Sequence, residues 1–177
     1  GVLVDKAGNV FTSVNKGVVV FSSEGKMIRS FIGAEYTRMH DIEIREENGV
    51  EYIYGARNQS REGVKFRASD GKIVMNLPFP KESGLNPIKF NPTAVTVAPN
   101  GDIYLADGYA SNVIFRFDKN GKYLSHFGEK GNGLKQFNTA HGMTLDTRYD
   151  PPRLLVCDRN HKPKGRLLHY GLDGKFI

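Results

Sequence analysis

A chain of 177 residues with 39% apolar and 11% aromatic side chains can build a packed core, and 25% charged residues is ordinary for a water-facing surface. No apolar run approaches the roughly 20 residues that cross a bilayer as a helix, so no such segment is expected. A single cysteine, Cys157, excludes an intrachain disulfide, and the net charge of +6 is scattered along the chain without a dense basic block, which reads as a solvated surface.

The chain opens in a strand-like run, Gly1-Val2-Leu3-Val4-Asp5, and stops in another, Lys175-Phe176-Ile177. Natural chains seldom begin and end inside such a pattern, so flanking sequence, a signal peptide included, is expected outside it. Four segments then share one grammar: about 1–31, 39–77, 90–128 and 138–177, with Phe79–Lys89 and Glu129–Phe137 as the longer links. Each reads as four short strands separated by turns, with β-branched or aromatic residues alternating. The second hairpin recurs almost letter for letter as Ser-Glu-Gly-Lys, Ser-Asp-Gly-Lys, Lys-Asn-Gly-Lys and Leu-Asp-Gly-Lys, on Gly25, Gly71, Gly121 and Gly174. Those glycines are 46, 50 and 53 residues apart. A period near 50 with four strands per unit marks an all-β fold, a β-propeller, and this chain reads as about four blades of a six-bladed ring. Asn100-Gly101 and Asn120-Gly121 predict type I′ turns, which need positive φ at both central residues. Arg153–Cys157 reads as a buried strand, with Cys157 a small core hydrophobe.

His126 and His169 fall in alternating strand patterns and His161 in a polar loop. His40 and His141 differ, because each stands just before the first strand of its unit, 101 residues or about two blades apart. The blade between them has Pro92-Thr93-Ala94-Val95 at that place, with no histidine. The segment entering the first strand lines a propeller's channel, so the two imidazoles are expected to face one axis. Three imidazoles and one open position make a catalytic zinc site. A third histidine, about one hundred residues beyond His141, would complete the set. Two polar residues lining a wet channel is the alternative. Asp107 and Asp158 occupy equivalent loop positions and are expected to cap loop amides. Tyr109 and Arg159 follow them. A tyrosine beside a guanidinium and a metal ion can act as a base, and an arginine can hold a carboxylate in bidentate fashion.

Three stretches carry a resemblance: Gly101-Asp102-Ile103-Tyr104-Leu105-Ala106-Asp107-Gly108-Tyr109, then Gln136-Phe137-Asn138-Thr139-Ala140-His141-Gly142, then Val156-Cys157-Asp158-Arg159-Asn160. In order and spacing this segment, Phe90 to Arg166, resembles the peptidyl-α-hydroxyglycine α-amidating lyases, a branch of the six-bladed NHL-type propellers. The resemblance extends more weakly back through His40 to Val2. It implies a zinc ion on His40 and His141, Tyr109 as base and Arg159 beside it. It also implies a structural calcium ion held partly by backbone carbonyls near Val2 and Ile42. The implied reaction cleaves the N–Cα bond of a peptide ending in α-hydroxyglycine, yielding a peptide amide and glyoxylate, in an extracytoplasmic (secreted or periplasmic) setting.

Two departures stand out. Ser13-Val14-Asn15-Lys16 occupies the region where the family has another arginine, and Ala110-Ser111-Asn112-Val113 follows Tyr109 where the family continues with cysteine and a later arginine. Two readings therefore stay open. One is a zinc-dependent lyase acting on a peptide or small carboxylate-bearing substrate. The other is a non-catalytic propeller that binds a protein or ligand on its channel face. Nucleic acid is the least favoured partner, given scattered charge and few aromatic steps, and no membrane partner is expected.

Overall fold

The structure is a computed structural model describing residues 1–86 and 90–177. The end of the expected Phe79–Lys89 link therefore lies outside the described residues. The fold is all-β. The first blade holds β1 (Val2–Val4), β2 (Val10–Val14), β3 (Gly17–Phe21) and β4 (Met27–Ile32), and the second β5 (Met39–Glu47), β6 (Val50–Arg57), β7 (Glu62–Arg67) and β8 (Ile73–Pro78). The third holds β9 (Ala94–Val97), β10 (Ile103–Ala106), β11 (Ile114–Phe117) and β12 (Tyr123–Phe127). The fourth holds β13 (Ala140–Asp146), β14 (Arg153–Asp158) and β15 (Arg166–Tyr170). Each sheet is an antiparallel meander in sequence order. The expected outer strand of the fourth blade is reduced to a single bridge between Tyr170 and Phe176.

The first strands touch in succession, β1 to β5, β5 to β9 and β9 to β13, so they adjoin a common axis. Strand alternation divides each inner sheet between two neighbours. On β6, Ile53 packs toward the first blade with Phe11, Val18 and Phe66, while Tyr54 and Ala56 pack toward the third. On β10, Ile103 and Leu105 face the second blade, and Tyr104 and Ala106 face the fourth. Burial on both faces is why these strands read as nearly unbroken apolar runs, each large side chain contributing about 1.5–3 kcal/mol. The same alternation corrects the expectation for Cys157. Leu154 and Val156 are the residues of β14 that enter the core, and Cys157 shares the opposite, half-buried face with Leu155.

The turns differ from expectation too. At Asn100-Gly101 only Gly101 has positive φ, at 88°, and at Asn120-Gly121 only Gly121, at 82°. Gly101 N donates to Ala98 O at 2.9 Å and Ala98 N to Asp102 O at 2.9 Å, giving a three-residue loop with a glycine in the left-handed position. These are type I turns closed by a glycine bulge, not type I′ turns. A type I′ geometry does occur at Asn48-Gly49, where both residues have positive φ and Glu47 pairs Val50.

Candidate active site

The sequence pattern expects the two histidines before their strands, but the structure places them inside. In β5, Met39 pairs Arg57 and Asp41 pairs Ala56, leaving His40 as the extra residue of a β-bulge. In β13, Ala140 pairs Asp158 and Gly142 pairs Cys157, leaving His141 as the extra residue in the same way. A bulge takes one residue out of the ladder and re-aims its side chain. Both imidazoles are thereby turned toward each other, with ring centroids 4.8 Å apart. The third blade lacks this bulge, and Thr93 stands there instead.

Tyr109 comes from the loop after β10 and lies between the histidines. Its Oη is 3.0 Å from His40 Nε2 and 3.0 Å from His141 Nε2. His40 Nδ1 is 2.7 Å from the Thr93 carbonyl oxygen, which can only accept. Nδ1 therefore carries the proton, and in the neutral ring Nε2 keeps its lone pair. With Tyr109 donating to His40, His141 Nε2 becomes the donor to the same phenol oxygen. Burial, then Arg159 and His40, holds His141 below the usual imidazole range. Arg159 Nη1 donates to Tyr109 Oη at 3.4 Å, and its guanidinium carbon lies 5.5 Å from the Tyr109 ring centre. The structure thus brings His40, Tyr109, His141 and Arg159 into one cluster.

Thr93 and Gly108 set the loop that carries Tyr109. Thr93 is fully buried, its Oγ1 donates to Ala140 O at 2.6 Å, and it accepts from Gly108 N at 3.2 Å. A Cβ on Gly108 would lie 1.9 Å from Ala140 O, so only glycine lets the loop close against β13. Asp107 is buried and accepts from Asn91 N at 2.6 Å and Ser111 Oγ at 2.6 Å. Burial pushes its carboxyl up, and the Ser111 and Asn91 hydrogen bonds pull it back. Asp158, also buried, accepts from Asn138 N at 2.6 Å and from Arg166 Nε at 3.0 Å. Both carboxylates therefore cap loop amides and face away from the cluster.

The second blade does the same job with the charges exchanged. The cross-strand pair Asp158–Arg166 of the fourth blade becomes Arg57–Glu62 in the second. Arg57 donates to Thr37 O and Ala34 O and ion-pairs with Glu62. Side chains of β5 also satisfy the inner edge of β9. Asp41 accepts from Val95 N at 3.2 Å, Glu43 accepts from Val97 N at 2.9 Å, and Arg45 donates to Val97 O.

Sequence reasoning missed Arg38. It lies two residues before His40 with φ of 61°, and its Nη1 donates to Asn15 Oδ1 at 2.9 Å. It thus brings a guanidinium to the region where the resemblance expects an arginine in the first blade. The positive charge two residues from His40 was the available signal. A cavity of about 240 Å³ is lined by Asn15, Arg38, His40, Asn58 and Gln59, and one of about 340 Å³ by Asn58, Gln59, Arg61, Asn91 and Tyr109. The first adjoins the cluster at His40 and the second at Tyr109. A larger cavity, about 720 Å³, lies between the first two blades beside Asp5, Lys6, Arg29 and Glu51, away from the cluster. Among the described residues no group of three or more histidine, cysteine or carboxylate side chains is arranged to hold a metal ion. His40 and His141 supply two nitrogen donors.

Four antiparallel sheets around one axis, with an imidazole–phenol–imidazole cluster at the channel, define a β-propeller. Residues 91–177 match a family model described as a 6-bladed beta-propeller. The chain is 31% identical over 151 residues to a probable peptidyl-alpha-hydroxyglycine alpha-amidating lyase of Caenorhabditis elegans, covering 84% of this chain and 42% of that protein. It is 36% identical over 104 residues to human NHL repeat-containing protein 3, covering 56% of this chain and 29% of that protein. The chain thus spans less than half the length of either relative. Among solved structures, the hydrazine synthase of Kuenenia stuttgartiensis superposes with a TM-score of 0.72 at 9% identity, over 99% of this chain and 47% of that one, which is a likeness of fold alone.

Proposed function

We propose that this chain carries part of the active site of a zinc-dependent lyase that cleaves peptides ending in α-hydroxyglycine, releasing a peptide amide and glyoxylate. The observation that supports it most is the convergence of His40 Nε2 and His141 Nε2 on one point, each 3.0 Å from Tyr109 Oη. Zinc held by these two nitrogens, with the His141 proton moved from Nε2 to Nδ1, and by a third donor outside the described residues would supply Lewis acidity toward the substrate hydroxyl. Tyr109, as the phenolate left once its own proton has gone, is the base that takes the hydroxyl proton. Arg159, within 3.4 Å of the phenol oxygen, stabilises negative charge there. As the C–O bond becomes a carbonyl, the N–Cα pair leaves with nitrogen, which receives the proton from Tyr109. The atoms balance without water or a redox partner. Arg38, on the other side of His40, stands where it can take the substrate carboxylate.

Calcium belongs to the same reading. Val2 and Ile42 sit on the neighbouring strands β1 and β5. Asp41, the carboxylate beside Ile42, has one oxygen engaged by Val95 N.

The test is metal content by mass spectrometry on full-length protein and on His141→Ala. About one zinc per chain, lost in the variant, together with glyoxylate release from an α-hydroxyglycine peptide, supports the lyase. Zinc missing from both samples sinks it and leaves a propeller used as a binding platform.

A further inference from the structure

Two lysine-bearing loops that lie apart in the sequence pack together, and one of them reaches the cluster through Arg159. The link 128–137 brings Lys130 and Lys135, and the loop 159–165 brings Arg159, Lys162 and Lys164, all exposed. The two loops are tied together. Lys162 N donates to Asn132 Oδ1 at 3.2 Å, Asn160 N to Asn138 O at 2.8 Å, and Arg166 Nη2 to Gly133 O at 2.6 Å and Gln136 O at 2.8 Å. Fully buried Phe137 anchors the link from below. The rim is therefore a fixed surface. None of the five cations forms an ion pair among the described residues. Glu129 is the one acid in the two loops, and its Oε1 accepts from Gln136. The scattered positive charge of the sequence is thus focused here, continuous through Arg159 with Tyr109.

We infer that this rim binds an acidic stretch of a peptide whose C-terminal end occupies the His40–Tyr109–His141 cluster. The inference rests on the lyase reading for the peptide's reacting end, and on charge complementarity for the rest of it. A peptide fits better than a nucleic acid. The two loops expose no aromatic ring on which a base could stack, and they present Leu134, 70% exposed, among the lysines.

The test is fluorescence anisotropy on the full-length protein with a short glutamate-rich peptide ending in glycine and its glutamine counterpart, at low and at physiological salt. The acidic peptide is expected to bind about tenfold more tightly, a difference of about 1.4 kcal/mol, with the advantage shrinking as salt rises. Lys162→Glu/Lys164→Glu, shown folded by circular dichroism, is expected to erase that advantage, and Lys26→Glu/Lys72→Glu, in the outer hairpins of the first two blades, to keep it. Equal affinity for the two peptides would overturn the inference. So would an advantage that survives the charge reversal on the rim or is lost in Lys26→Glu/Lys72→Glu, or an oligonucleotide of equal charge that binds more tightly than the acidic peptide. An acidic preference in a protein that releases no glyoxylate would keep the rim and remove the lyase reading alone.

Discussion

Replacing Gly108 with alanine separates steric closure of the loop from a general dislike of substitution near the cluster. The added Cβ would sit 1.9 Å from Ala140 O and 2.6 Å from Thr93 Oγ1. The first contact is backbone, so the loop or β13 must move by more than about 1 Å to reach ordinary contact, an overpacking cost of about 1–3 kcal/mol. That movement also strains the bonds Thr93 makes to Ala140 O and Gly108 N in a fully buried place. Leaving such a group unpaired costs about 1–3 kcal/mol. The expected loss is about 2–4 kcal/mol, a large part of the roughly 5–15 kcal/mol that holds a domain folded. Gly142→Ala is the control. It neighbours His141, yet its Cβ would meet only Cys157 Cβ, at 3.7 Å, and its change is expected within about 0.5 kcal/mol. Neither glycine has positive φ, so backbone conformation does not separate them. Urea unfolding of the full-length protein, followed by far-UV circular dichroism, measures both. A Gly108→Ala variant within about 1 kcal/mol of wild type, or as unstable as Gly142→Ala, refutes the reasoning.

Three further outcomes follow from the same contacts. Thr93→Val keeps the shape but strips the hydroxyl from Ala140 O and Gly108 N, and is expected to cost about 2–4 kcal/mol where Thr93→Ser costs less than half of that, measured by urea midpoints. Glu62→Gln leaves the buried Arg57 without its counter-charge and is expected to cost about 3 kcal/mol, whereas Arg57→Met with Glu62→Leu loses less, which a double-mutant cycle reads. Burial pushes the Tyr104 phenol up to about 12, with Asp102 and Asp173 adding to the rise and Arg116 opposing it. A raised folded value means stability is full below the unfolded value near 10 and is lost as pH climbs toward 12. Denaturant midpoints should therefore fall across that window, and less steeply in Tyr104→Phe.

Much of the blade architecture was legible because hairpins are local. The Gly25, Gly71, Gly121 and Gly174 repeat marks outer hairpins in the right places, and the nearly unbroken apolar runs of β6 and β10 mark them as inner strands buried on both faces. What stayed hidden depends on partners distant in the chain. A bulge is a mismatch between two strands, so His40 and His141 could be paired by spacing but not seen as the extra residues of β5 and β13. Arg57 does not resemble Asp158, and only the cross-strand pairing reveals them as one device with the charges exchanged. Turn type also escaped, because Asn-Gly is compatible with a glycine bulge as well as with type I′. The basic rim was invisible for the same reason as the bulges. The loops that carry Lys130 and Lys164 are joined only in the folded chain, by bonds such as Lys162 N to Asn132 Oδ1.

The alternation of roles around the channel accounts for the spacing of the two histidines. A residue bulged out at every blade would crowd the axis, because the first strands already touch in succession. The third blade instead keeps its ladder regular and offers a carbonyl, Thr93 O, to His40 Nδ1. One blade supplies an imidazole, and the next fixes that imidazole's tautomer so that Nε2 keeps its lone pair. The same threonine, through Oγ1, holds Ala140 next to His141 and the Gly108 amide next to Tyr109. A single buried residue without any catalytic chemistry thus ties three of the four cluster residues together. Loss of its hydroxyl should therefore disturb the placement of His141 and of Tyr109 at once, whereas Tyr109→Phe, which loses only the phenol oxygen, should leave both imidazole nitrogens where they are.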